Sequence, residues 1–124
     1  MKNKSIISLI SVFAVMAFLA GCAASPTISN VSIPGSARNA ESGTIGKNTN
    51  LRYITNLSVD EACAEQIKLL TAANWKESEA MRKEDTYSTA SYSDGKASMV
   101  LMCSETELSA TEKATKVTLT LQDG

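Results

Sequence analysis

The chain has 124 residues, 12 basic and 13 acidic side chains, a net charge of −1 and no histidine. That balance leaves no basic footprint for nucleic acid. Without an imidazole, Ser-His-Asp and Cys-His nucleophilic catalysis and histidine-ligated zinc are excluded.

Lys2 and Lys4 form a short positive head, and Ser5 to Ala20 is almost wholly apolar, broken by Ser8 and Ser11. A membrane-spanning helix needs about 20 apolar residues, so this run has the length of an export signal instead. It ends in Leu19-Ala20-Gly21-Cys22, which resembles the lipobox of bacterial lipoproteins. The resemblance implies a signal peptide over residues 1–21, cleaved between Gly21 and Cys22. It further implies a diacylglyceryl group on the Cys22 thiol and a fatty acyl chain, palmitate in type, on the new amino terminus. Each buried methylene contributes about 0.8 kcal/mol, and stable anchoring takes more than one chain; Cys22 would carry enough. Ala23 stands where that family uses aspartate for inner-membrane retention, which implies an outer-membrane anchor facing the periplasm. The competing readings are a secretory signal with a chance cysteine, or an uncleaved anchor.

Cleavage would leave 103 residues, and losing Lys2 and Lys4 shifts the balance to −3. Attachment to membrane is therefore expected from acyl chains and not from charge. Cys63 and Cys103 remain, an even pair in an exported chain, which reads as a disulfide. Closing a loop of about 41 residues would stabilise a small domain by roughly 4 kcal/mol. Two free thiols or a redox pair are the alternatives; no Cys-x-x-Cys spacing favours the latter.

Residues 22–49 are rich in Ser, Asn, Gly, Ala and Thr, with Pro26 and Pro34, and read as a lipidated flexible tether spanning roughly 30 Å as a coil. Gly43 and Gly46 lie in it with no helical pattern behind them, so they make no phosphate loop. Ile28, Val31 and Ile33 are its apolar members; an edge strand or a partner-binding segment is the other reading. Residues 50–124 are expected to form one domain.

Leu51 to Asn56 suits a first strand. Ser58 and Glu61 then match a capping box. Behind them Val59, Ala62, Cys63, Gln66, Ile67, Leu70 and Ala73 fall on one helical stripe. Trp75 to Ala80 starts a strand, and Tyr87 to Ser93 alternates as a half-exposed one. Asp94-Gly95 signals a two-residue hairpin. In the returning strand, Ala97, Met99, Leu101 and Cys103 share a face. After a polar loop from Glu105 to Lys113, Val117, Leu119 and Leu121 alternate with polar residues in a last strand.

The expected fold class is α+β: one amphipathic helix on a small antiparallel sheet of three to four strands, in two layers. The strand, "SVDEACAEQIKLLTAANWK" and hairpin also resemble small αβ modules of envelope lipoproteins, with Asn74 in the place of their usual glycine. That likeness carries no functional residues.

No cofactor, metal site or catalytic residue is expected. The carboxylate pairs Glu77/Glu79, Glu84/Asp85 and Glu105/Glu107 sit among polar neighbours and read as solvated surface. Trp75 reads as a core lid, and Tyr87 and Tyr92 have opposite parity on their strand. The expectation is a lipid-anchored envelope protein with a non-catalytic domain that binds a protein or envelope partner or plays a structural role. A carrier of a small apolar or lipid ligand is the alternative, with Met81, Met99 and Met102 lining its pocket.

Overall fold

A computed structural model describes residues 26–123. The strands are β1 (Arg38–Ile45), β2 (Asn48–Thr55), β3 (Lys76–Lys83), β4 (Tyr87–Ser93), β5 (Ala97–Glu107) and β6 (Lys113–Asp123), with one helix, α1 (Val59–Ala72), between β2 and β3. All strand pairs are antiparallel, in the order β1-β2-β6-β5-β4-β3. The expected small sheet of three to four strands is thus corrected: the domain is mostly sheet, six strands wide, with a single helix. The edge strand β3 was expected from Trp75 to Ala80, and the other edge, β1, lies in the segment expected as tether. In β1 only Ala40, and in β3 only Met81, is even half-buried. A strand with neither face covered has no apolar alternation to display.

Each end of α1 is built as its residues dictate. The Ser58 hydroxyl accepts from Glu61 N at 3.2 Å, and the Glu61 carboxylate accepts from Ser58 N at 3.3 Å. Both are amides that a helix start leaves without partners. At the other end Asn74 takes φ +69°. Trp75 N donates to Leu70 O and Asn74 N to Thr71 O, each at 3.0 Å, the paired bonds of a Schellman close. The buried stripe follows: Ala62, Cys63, Gln66 and Leu70 face inward.

The core sits between this stripe and one face of the sheet. Leu51, Leu119, Leu101 and Ala90 form one cross-strand row; Tyr53, Val117, Cys103 and Ser88 form the next. All eight are buried. The hairpin between β4 and β5 differs from its expected two-residue form. Its loop is Asp94-Gly95-Lys96, with Gly95 at φ +98°. The Asp94 carboxylate accepts from Lys96 N at 2.8 Å and Ala97 N at 2.9 Å. Asp94 therefore shapes the loop through its side chain, not through a left-handed backbone.

The largest correction concerns the tether. From Ile28 onward, the segment expected to be flexible through residue 49 is folded. Residues 38–49 supply β1, the β1–β2 turn with Gly46 at φ +61°, and the start of β2. Ahead of them, Ile28 and Val31 pair backbone to backbone in a tight turn, and both are core residues, 2% and 0% exposed. This strap runs along the flank of α1. Asn30 touches the helix C-terminus, Ser32 the middle at Gln66, and Ser36 bonds both Glu65 and Thr55.

Candidate functional site

Gly21 and Cys22, the cleavage and lipidation positions expected from the sequence, lie outside the described residues. Cys63 and Cys103 are brought together. The first projects from α1 and the second from the covered face of β5, with Cα atoms 5.9 Å apart and the sulfurs at disulfide distance. Both are buried, at 2% and 0% exposure. The pair therefore ties the helix to the middle of the sheet, as a structural link would, with no sulfur presented to a substrate.

A buried polar chain lies beside it. The Tyr53 hydroxyl donates to Gln66 Oε1 at 2.7 Å, and Gln66 Nε2 donates to the Ser32 carbonyl at 3.0 Å. Burial, reinforced by the Glu65 carboxylate, pushes the Tyr53 phenol far above its ordinary value of 10.0, so it stays a neutral donor. Nearby, Trp75 Nε1 donates to Asn30 Oδ1 at 2.9 Å, while Asn30 Nδ2 donates to the Ala73 carbonyl at 3.0 Å. Trp75 is 2% exposed, a core residue as expected, but it also clamps the strap. Among the described residues every buried side-chain polar atom has a partner. Sequence reasoning placed Gln66 on the buried stripe yet missed Asn30 and Ser32. The available signal was the apolar pattern of "TISNVSI".

A concave surface lies at the opposite end from Asn30. A cleft of about 560 Å³ opens there between the start of α1 and the ends of β3, β5 and β6, lined by Ser58, Asp60, Lys83, Asp85, Glu105 and Lys113 among others. Lys83 approaches Asp60 at 3.6 Å, both well exposed, and such pairs contribute at most about 1 kcal/mol. At the start of α1 the capping box holds the amides of Ser58 and Glu61. Of the carboxylate pairs, Glu84, Asp85 and Glu105 border this cleft, and Glu77 and Glu79 lie exposed on β3. Among the described residues no group of three or more Cys, Asp or Glu is placed to hold a metal ion.

Among the described residues no helix lies on the other face of the sheet. Ile54, Thr118, Val100 and Thr89 are half-buried across it, with Met102 39% exposed. Met99 lies in the core on the covered face, and Met81 sits on the β3 edge. The three methionines do not share a wall. Tyr87 is on the uncovered face and Tyr92 on the covered one, where burial raises its phenol, with Glu77 adding to the effect. The two edges differ. β3 carries Lys76, Glu77, Glu79, Arg82 and Lys83 and breaks register twice, devices that deter pairing with another strand. On β1 the run Ser42-Gly43-Thr44-Ile45 has no charge and pairs in unbroken register with β2, and no strand among the described residues pairs with its outer side.

Comparison of the chain with protein-family models, curated proteins and solved structures finds no match. Its functional reading therefore rests on its own residues.

Proposed function

We propose that the chain is a lipid-anchored protein of the bacterial cell envelope. Acyl chains on Cys22 hold it to the outer membrane, and its domain binds a protein partner or plays a structural role, without catalysis, on the periplasmic side. The observation that carries this reading is the ending Leu19-Ala20-Gly21-Cys22 on an apolar run too short to span a bilayer. The buried Cys63–Cys103 pair supports it, because a formed disulfide belongs to an oxidising compartment. The partner surface is the open edge of β1, where an extended segment of another protein adds a strand.

Cells grown in labelled fatty acid test the anchor. Label should reach the wild-type chain and vanish from a Cys22→Ser variant; equal labelling of both refutes the reading. The edge is tested by capture from envelope extract with the lipidated protein. A Gly43→Lys variant should lose what the wild type retains, since a side chain there meets nothing within 4 Å in the fold but places a charge on the edge.

A further inference from the structure

Resting on that anchor, the folded strap changes where the domain must sit. Only five residues, Ala23 to Thr27, separate Cys22 from the buried Ile28. Six residue steps span at most about 21 Å even when fully extended. The anchor thus leads almost at once into one particular end of the molecule. Asn30, two residues past Ile28, is bonded to Ala73 at the end of α1 and to Trp75 just ahead of β3. Strand register defines the rest of that end. Ile45, Asn48, Gln122, Ser98, Ser93 and Lys76 form one cross-strand row over all six strands.

That end has the chemistry of a bilayer contact. Ile45, at the tip of the β1–β2 hairpin, is 74% exposed, more than Met102 at 39% or Leu108 at 38%. Lys47, Lys76 and Lys96 are exposed in the same row of turns, with Asp94 and Glu77 beside them. The backbone amides of Ala97 and Lys96 hold the Asp94 carboxyl below the usual carboxylate range, so it keeps its negative charge. With Glu77 and Asp123, the strand partner of Ala97, it balances the three lysines. The far end is acidic: Glu84, Asp85, Glu105 and Glu107 outnumber Lys83 and Lys113. An anionic lipid surface repels the acidic end and not the balanced one.

We propose that the domain rests end-on against the bilayer that holds Cys22, with Ile45 entering the interface and Lys47, Lys76 and Lys96 at the headgroups. Strands β5 and β6, 11 residues each, then hold the acidic end and its cleft roughly 35 Å out into the periplasm. The β1 edge lies close to the membrane, within reach of partners that are themselves at its surface.

The test uses the full lipidated protein in vesicles of phosphatidylethanolamine and phosphatidylglycerol with bromine near the top of the acyl chains. Tryptophan is introduced at exposed positions, Ile45→Trp or Leu108→Trp, and its emission is compared with the wild type, whose Trp75 is buried. An interfacial side chain sits about 5–10 Å into the headgroup boundary, so the Ile45→Trp signal should fall by roughly half relative to unbrominated vesicles. The Leu108→Trp signal should be unchanged. Protein that floats with the vesicles but shows no quenching at position 45, or shows it at position 108, overturns end-on docking and leaves the anchor standing. Protein that fails to float removes the anchor and this placement together.

Discussion

Gln66 is a single polar side chain in an apolar stripe, and its two bonds show how one residue joins three segments. It accepts from Tyr53 on β2 and donates to Ser32 on the strap. Replacing Tyr53 with Phe leaves the buried Gln66 oxygen without a donor, at a cost of about 1–3 kcal/mol in a denaturation experiment. The same variant alters the response to alkali. The folded state raises the Tyr53 phenol above 10.0 and raises Tyr92 in the same direction. Their stabilisation is complete below the unfolded value and is lost as pH climbs past it, because the unfolded chain releases protons that the fold retains. Stability of the wild type should therefore decline above pH 10.0, and Tyr53→Phe should flatten that decline. An unaltered slope would place the titrating groups elsewhere. Asn74 makes a separate case: at φ +69° an alanine costs roughly 1 kcal/mol in chain strain, whereas glycine is tolerated.

Among the elements, α1 was fully legible in the sequence and the strap was not. Ser58, Glu61 and the stripe through Leu70 are local signals, each spelled out within one helical turn. The strap has no periodicity, since its folding depends on partners far along the chain: Gln66, Ala73 and Trp75. Composition alone cannot distinguish such a segment from a linker. The β1 edge was obscured for a different reason, the lack of a covered face, whereas the start of β3 was legible after Trp75. A flexible tether would tolerate any change at Ile28 or Val31. The packed strap does not: Ile28→Ala should cost about 2–5 kcal/mol, with a smaller loss for Val31→Ala. Thermal melts of the two variants, checked against Thr27→Ala at an exposed position, separate the alternatives. The link between α1 and β5 belongs to the same scale. Replacing Cys63 and Cys103 together with Ala should remove roughly 4 kcal/mol. For a domain of this size that lowers Tm by on the order of 15–30 °C. A melt insensitive to both the double variant and reductant would show that the bond is not formed.

For the whole molecule, sequence and structure describe different parts. The lipobox pattern lies in residues 19–22, outside the described residues, while the fold supplies the sheet, the open β1 edge and the buried cysteine pair. The buried cysteines, Gln66 and Trp75 were legible in the sequence, but spacing within a chain cannot show which strand ends as an edge or which end of a sheet meets the anchor. Among the described residues no helix is long and apolar enough to cross a membrane; the proposed attachment is at Cys22. The proposed compartment and orientation depend on that residue becoming the mature amino terminus. Intact mass spectrometry of the protein purified from membranes tests it most directly. We expect a chain that begins at Cys22 and is heavier than its polypeptide by a diacylglyceryl group and an amide-linked acyl chain. A chain that begins at any other residue, or has the bare polypeptide mass, would contradict it.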